Sequence, residues 1–182
     1  MKIKTLNRKE INKALPFIWD VFLEYESVNY SEKGKKAFWD AIHSEEYLAQ
    51  LKAYGAFENK EIVGIIATRN KGNHVALFFV KGMYQGKGIG RMLWNAVLEE
   101  NIAKTVTVHS SLFAVPIYEK LGFISTDSIK EDGGIQYTPM EYKMFVRKDC
   151  PCSKKECIRH GHCNECRAYH ATPKRPRTCD ND

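Results

Sequence analysis

A glycine-rich turn in the middle of the chain constrains the fold more than any other feature. Its six residues are Gln85-Gly86-Lys87-Gly88-Ile89-Gly90. They follow an apolar, strand-like run over residues 75–80 and precede an amphipathic, helix-like stretch over residues 91–100. A strand that enters a helix through such a turn leaves backbone N–H groups unpaired at the positive end of the helix dipole. The sequence therefore predicts a site that can hold a phosphate or pyrophosphate at this turn.

The predicted elements before this turn begin with one strand and three helices. Residues 3–6 can form a short strand, and Asn7 and Glu10 form the pattern of a capping box for the first helix. Pro16 is expected to end or kink that helix. A second helix is predicted after Ser31, and a third, shorter helix is predicted around residues 47–51.

Short strands and turns dominate the rest of the first 149 residues. Asn59-Lys60 is a predicted hairpin turn, Gly122 is a predicted helix C-cap, and Asp132-Gly133-Gly134 separates the last two predicted strands. The predicted strands cover residues 54–58, 61–69, 74–80, 105–108, 123–128 and 136–146, and a short helix covers residues 112–121. This alternation predicts a mixed α/β domain with the glycine turn near the centre of a sheet.

Composition is typical of a soluble globular protein. The chain is 43% hydrophobic and 27% charged, and no apolar run approaches the roughly 18 residues that span a bilayer. The first residues are too polar for a signal peptide, so an intracellular, cytoplasmic protein is expected. The net charge of +6 fits either a preference for anionic ligands or nucleic acid, or an ordinary basic surface.

Two segments resemble the signatures of one enzyme superfamily. The glycine turn resembles the Gln/Arg-x-x-Gly-x-Gly/Ala acyl-CoA motif of the GNAT-type N-acetyltransferases. Downstream, the run Ser110-Ser111-Leu112-Phe113-Ala114-Val115-Pro116-Ile117-Tyr118-Glu119-Lys120-Leu121-Gly122-Phe123 is similar to the C-terminal signature of that superfamily. The motifs occur in the family's order and at its separation. The resemblance covers about residues 1–147 and implies a mixed, mostly antiparallel central sheet with flanking helices.

The resemblance implies that the glycine turn binds the pyrophosphate of acetyl-CoA, the co-substrate of the family. Glycines allow close backbone approach and positive φ angles. In the family, the strand before the turn splays from the next strand, and the pantetheine arm lies in the gap. By this resemblance, the cofactor-binding residues are Phe79, Val80, Gln85, Gly86, Lys87, Gly88, Ile89, Gly90, Arg91 and Ser111. Gly82 stands where family members often have proline, which predicts a looser entry to the loop.

The implied reaction is the direct attack of a primary amine on the acetyl thioester, which needs a neutral amine and a proton for the thiolate. Tyr118 stands where the family commonly has the acid, and a packing role is the alternative. Residues 74–80 contain no carboxylate to act as base. His109 is a candidate base because neutral imidazole is available at pH 7, and a water relay is another option. Glu24 is a candidate for attracting a cationic amine.

A separate tail follows the predicted domain. All six cysteines lie after Asp149, so the chain is predicted to consist of an acetyltransferase domain over residues 1–147 and a Cys/His-rich tail over residues 150–182. Zinc binding, unmetallated thiols and disulfides all remain open for this tail. The candidate zinc ligands are Cys150, Cys152, Cys157, His160, Cys163 and Cys166. A basic stretch over residues 174–177 can contact nucleic acid or remain solvated.

These features predict an acetyl-CoA-dependent N-acetyltransferase that acts on a primary amine of a small molecule, peptide or protein. The alternative is a non-catalytic acyl-CoA-binding regulatory module with a metal-binding interaction tail. A weaker third hypothesis is a nucleic-acid-associated protein that uses the tail. A homodimer is compatible with each of them.

Overall fold

The described part of the chain is built around one eight-stranded sheet. The computed structural model describes residues 1–100, 105–144, 150–157, 159–161, 166 and 170. The helices are α1 (Arg8–Val21), α2 (Glu32–His43), α3 (Glu45–Ala49), α4 (Ile89–Glu100) and α5 (Val115–Leu121). The strands are β1 (Lys2–Leu6), β2 (Lys52–Glu58), β3 (Glu61–Arg69), β4 (His74–Val80), β5 (Thr105–Ser110), β6 (Ile124–Ser125), β7 (Lys130–Asp132) and β8 (Ile135–Lys143). A π-helical turn (Phe22–Glu26) and a 3₁₀ turn (Ser27–Asn29) join α1 to α2.

The sheet is mostly antiparallel, as predicted. Its strand order is β1-β2-β3-β4-β5-β8-β6, and β7 pairs with β8. Only the central β4–β5 pair is parallel among the described strands. A parallel pair needs a crossover, and α4 lies between these two strands in sequence. The glycine turn therefore leaves the sheet at the one parallel pair of the described strands.

Two apolar clusters cover the two faces of the sheet. Ile65 and Ile66 are neighbours on β3, and their side chains enter different clusters because strand side chains alternate. The Ile65 face packs against α1 through residues such as Ile18, whereas the Ile66 face packs against α4 through residues such as Trp94. Helices on both faces bury the central strands, which holds β4 and β5 rigidly in place.

Several local predictions are confirmed. The side chain of Asn7 accepts a hydrogen bond from the backbone N–H of Glu10, and the Glu10 side chain accepts one from the backbone N–H of Asn7, which completes the capping box. Ser31 caps α2 by accepting a hydrogen bond from Gly34 N–H at 3.1 Å. Gly122 ends α5 in the left-handed region, with a φ of 100°.

Other local predictions are wrong in part or in full. Pro16 does not end α1, which continues to Val21 because the residues beyond the proline bury apolar side chains that outweigh one lost backbone hydrogen bond. The other predicted outcome, a kink at Pro16, stays a prediction. Strand β6 covers only Ile124–Ser125 rather than residues 123–128. Strand β7 was not predicted, because its three residues are exposed and polar and give no hydrophobic pattern. The predicted end of the last strand, at residue 146, lies outside the described residues.

The segment after α1 is fastened to the β7–β8 turn. Tyr30 forms a bridge with Ile135, and the backbone N–H of Ser31 donates to Gly134 O at 3.0 Å. The Ser31 hydroxyl contacts the same oxygen at 3.2 Å. A Cβ atom on Gly134 would lie 2.0 Å from the Ser31 hydroxyl, so the approach requires glycine. This contact, called the Ser31–Gly134 lock below, fixes the chain that leads out of the π-helical turn.

Candidate functional site

The centre of the site is a gap between β4 and β5. These parallel strands pair only at His74 with Thr107 and at Val75 with Val108. Beyond these pairs the strands separate, although β4 continues to Val80 and still pairs with β3 on its other edge. Among the described strands, none pairs with this edge of residues 78–80, as the resemblance implies.

A cavity of about 460 Å³ lies in this gap. Three kinds of element line it: the end of β4 with the glycine turn, the start of α5 with the loop before it, and the π-helical turn after α1. Eight predicted cofactor residues line this cavity, namely Phe79, Val80, Gln85, Gly86, Gly88, Ile89, Gly90 and Arg91. The predicted residues Lys87 and Ser111 lie beside it: the Lys87 ammonium is 5.3 Å from the centre of the Tyr84 ring.

The glycines of the turn serve two different purposes. Gly86 and Gly88 have φ angles of 71° and 82°, and a Cβ atom on either would meet nothing within 4 Å. Both need glycine for their conformation, and both leave open space in front of the backbone. Gly90 instead lets α4 pack closely on β4, since a Cβ there would lie 3.1 Å from the Phe78 ring. This arrangement can hold a pyrophosphate at the N-terminus of α4.

Basic groups surround the same end of the cavity. Arg91 and Lys120 both line it, and the Arg91 guanidinium donates a hydrogen bond to the backbone oxygen of Lys120. That hydrogen bond joins α4 to α5 across the cavity. The positive end of the α4 dipole and these two cations make this end attractive to an anion.

Tyr118 is not among the residues that line the cavity, but its ring packs behind Phe78, which lines it. Its side chain is only 5% exposed, and its ring packs 5.7 Å from Phe78 and 5.1 Å from Phe123. Burial raises the pKa of Tyr118 well above its ordinary value, and the charge of Glu26 and the nearby Tyr30 raise it further. The hydroxyl therefore keeps its proton at neutral pH, which is the state that an acid requires.

Glu26 is a residue of the site that the sequence analysis missed. Its carboxyl group lines the cavity from the end of the π-helical turn and lies near the Ser111 hydroxyl. Burial raises the pKa of Glu26 from 4.5 to about 7, and the nearby Ser111 hydroxyl opposes part of that rise. A signal was present, because Ile18, Phe22 and Glu26 recur at intervals of four, which places one carboxylate on an apolar helical face.

Tyr25 explains the glycine at position 82. Its ring stacks on Phe113 with a centroid distance of 5.1 Å, so the two rings connect the π-helical turn with the loop before α5. A Cβ atom on Gly82 would lie 2.5 Å from the Tyr25 hydroxyl. The glycine therefore makes room for Tyr25 at the cavity.

His109 lies away from this cavity. Its ring stacks on Tyr137 at 4.1 Å and meets His74 edge-on at 5.2 Å. Burial and the charge of Arg69 lower the pKa of His109, so its imidazole is neutral at pH 7. Because neither His109 nor its ring partners His74 and Tyr137 are among the residues that line the cavity, its predicted role as the base has no geometric support.

The tail contributes little to the described structure. Among the described residues, no three His, Cys, Asp or Glu side chains come together in a way that could hold a metal ion. Cys150, Cys152 and Cys157 are described as free thiols, and Cys163 lies outside the described residues. The zinc prediction, which also names His160 and Cys166, thus stays a prediction.

The helices of the described residues include none that is long and apolar enough to cross a membrane.

Comparison with known protein families agrees with this geometry. The family model for the acetyltransferase (GNAT) domain matches residues 26–144, from Glu26 at the cavity to the end of β8. The chain belongs to the GNAT acetyltransferase family. No match was found among curated protein sequences.

Solved structures show the same fold. A GCN5-related N-acetyltransferase from Rhodopseudomonas palustris is 18% identical, with a TM-score of 0.67 over 79% of this chain and 95% of that one. The PaiA N-acetyltransferase of Thermoplasma acidophilum, solved in complex with coenzyme A, is 20% identical, with a TM-score of 0.61 over 79% and 99%. Tetrahymena GCN5 is 19% identical, with a TM-score of 0.54 over 79% and 96%. The predicted fold is confirmed, and acyl-CoA-dependent acetyl transfer is supported in general terms.

Proposed function

We propose that the protein transfers the acetyl group of acetyl-CoA to the nitrogen of a primary amine. The observation that carries this proposal is the gap between β4 and β5, which opens directly onto the glycine turn. Pyrophosphate binds at the turn, the pantetheine arm follows residues 78–80, and the thioester lies toward Tyr118 and Glu26. The coenzyme A bound to the Thermoplasma relative is consistent with this assignment.

The proposed reaction is a direct attack that forms no acyl-enzyme. The amine lone pair forms the new C–N bond while the C–S bond of the thioester breaks. Tyr118 then donates its hydroxyl proton to the departing thiolate, and the proton lost by the nitrogen restores the tyrosine. This role for Tyr118 is supported by its place beside Phe78, which lines the cavity, and by a hydroxyl that is protonated at neutral pH.

The test is the release of free coenzyme A when acetyl-CoA is offered with a panel of primary amines. The panel contains diamines, aminoglycosides, amino acids and lysine peptides, and each reaction is compared with one that lacks amine. We expect coenzyme A release that depends on amine concentration for at least one class. Binding of acetyl-CoA without amine-dependent release across the panel supports the non-catalytic module instead.

A further inference from the structure

Glu26 stands out among the titratable groups of the cavity. Of the described residues that line it, Glu26 is the only one with an acidic side chain. The titratable and charged groups that line the cavity with it or act on it electrostatically are Tyr25, Tyr30, Tyr84, Arg91, Tyr118 and Lys120. The nearby tyrosines Tyr30 and Tyr118 keep their protons at neutral pH, because the pKa of each is raised by burial and by Glu26. Glu26 is therefore the group in the described cavity that can accept a proton.

The Ser111 hydroxyl favours the ionised form of this carboxyl group. Ser111 is buried, and its oxygen accepts a hydrogen bond from the backbone N–H of Ala114 at 3.3 Å. Its own hydroxyl proton is then available to the nearby Glu26, and Ser111 lowers the pKa of that carboxyl group. Ser111 thus acts on Glu26, in addition to any contact with the pantetheine arm.

The backbone around Glu26 is also fixed on both sides. The π-helical turn continues from α1, whose apolar face is buried against the sheet. After Glu26, the Ser31–Gly134 lock fastens the chain to the β7–β8 turn. A carboxylate on such a segment keeps its position without having to be ordered by the substrate.

We propose that the Glu26 carboxylate is the general base that takes a proton from the ammonium form of the acceptor. This proposal rests on the acetyltransferase function proposed above and assigns the base that the sequence left open. One N–H bond of the ammonium breaks, its proton moves to the carboxylate, and the freed lone pair attacks the thioester carbon. Solvent takes that proton from Glu26 after each turnover. This is the one net proton that the overall reaction releases.

The state of Glu26 suits this step. A carboxyl group with a pKa near 7 is largely ionised just above neutral pH, and it is a stronger base than an ordinary glutamate. Partial desolvation raises the pKa of Glu26, which makes its carboxylate a stronger base. An ammonium group is therefore attracted by the negative charge and also gives up its proton to the carboxylate more readily. Glu26 also lines the cavity from a different element than Arg91 and Lys120, so an ammonium acceptor is attracted to the carboxylate and an anionic donor to the cations.

The decisive variant is Glu26→Gln, which keeps the shape and removes the base. With the best amine of the panel, we expect kcat/KM to fall roughly 100-fold or more, while the Kd for acetyl-CoA changes less than about threefold. The wild-type pH–rate profile has a limb near pH 7, where the rate rises as Glu26 ionises, and the variant lacks this limb. The difference in kcat/KM between the two proteins becomes smaller as the pH approaches the pKa of the amine, because neutral amine is then present in solution. A purely structural role for Glu26 predicts no such pH dependence.

Two further variants complete the experiment. Glu46→Gln removes an exposed carboxylate on α3, outside the cavity, and is expected to leave the pH profile unchanged. His109→Gln tests the rival base. The assignment is overturned if Glu26→Gln retains both the rate and the limb near pH 7, or if His109→Gln removes that limb instead. A wild-type protein that turns over no amine overturns the function and the base together, whereas an active Glu26→Gln variant overturns only the base.

Discussion

The two ends of the cavity between β4 and β5 are built in opposite ways. The donor end consists mainly of backbone from one continuous segment, the glycine turn and the start of α4. The acceptor end consists of side chains from two distant segments, the π-helical turn and the loop before α5, and the backbone of the β7–β8 turn fastens the chain that follows the first of them. A binding surface of backbone is a local property of the chain, while a surface of converging side chains depends on the whole fold. A substitution at one end should therefore impair that end and leave the other end intact.

The largest expected effect is loss of the donor end through Gly88→Glu. Residue 88 has a φ of 82°, so any side chain there strains the backbone, and a carboxylate also repels the phosphates. We expect acetyl-CoA binding to weaken by roughly 100-fold or more in calorimetric titration. Gly88→Ala is the matched control, since it adds strain without charge, and it should lose about tenfold. Equal affinities for the two variants would contradict an anion site at the turn.

The next largest effect is expected on the chemical step, with little change in the binding of acetyl-CoA. In Tyr118→Phe the ring packing against Phe78 and Phe123 is retained, and only the hydroxyl is lost. We expect kcat to fall roughly 100-fold, with the Kd for acetyl-CoA changed less than about threefold. Steady-state kinetics and titration measure the two quantities. Unchanged kcat refutes the acid role and leaves Tyr118 as a packing residue.

The sequence was informative about the donor end for a physical reason. Gly86 and Gly88 are needed at fixed spacing between a strand and a helix, so one short window carries the whole site. The same holds for the Asn7 capping box and for Gly122, which depend on neighbours within a few residues. The resemblance to the family added the splayed strands, which no local pattern shows.

The acceptor end could not be read from the sequence in the same way. Glu26 belongs to the site because the π-helical turn, the Ser111 loop and the Ser31–Gly134 lock bring distant segments together. Residue type indicated the exposed Glu24 and the remote His109 instead, because residue type alone does not show where a side chain points. Strand β7 was missed for a related reason, since it forms only by pairing with β8 behind the Gly133-Gly134 turn.

A third prediction concerns the stability cost of the acceptor end. The pKa of Glu26 is raised on folding, so the native state binds more protons than the unfolded state between about pH 4.5 and 7. Its contribution to stability is therefore present below pH 4.5 and is lost as the pH rises through about 7. Relative to Glu26→Gln, we expect the wild type to lose about 3 kcal/mol of unfolding free energy across this window. Urea unfolding of both proteins at pH 4.5, 6 and 8 measures the difference, and a pH-independent difference contradicts a buried carboxyl group.

A smaller effect is expected from breaking the lock that positions Glu26. Gly134→Ala places a Cβ atom 2.0 Å from the Ser31 hydroxyl at a φ of 86°. We expect kcat/KM for the amine to fall about tenfold, because the π-helical turn is no longer held, while acetyl-CoA affinity stays unchanged. Gly133→Ala is the control, since its φ is also positive, at 60°, but its Cβ would meet nothing within 4 Å. Equal losses in the two variants indicate backbone strain rather than the lock.

The smallest effect is expected from the tail. The residues that line the cavity lie between Val21 and Leu121, so removal of any metal from the tail should leave acetyl-CoA affinity unchanged. Elemental analysis of protein purified without chelator is expected to find about one zinc per chain, as four soft ligands make one tetrahedral site. Protein without zinc contradicts the zinc prediction, and a chelator that weakens acetyl-CoA binding contradicts the separation of tail and cavity.

The central claim is that the two ends of one cavity bring a thioester and an amine together. The most direct measurement supplies acetyl-CoA labelled in the acetyl group to the wild-type protein with the amine panel, and follows the label by mass spectrometry. The account predicts that the label appears on an amine nitrogen, one for each coenzyme A released. It is contradicted if acetyl-CoA binds at the glycine turn and no amine of the panel acquires the label.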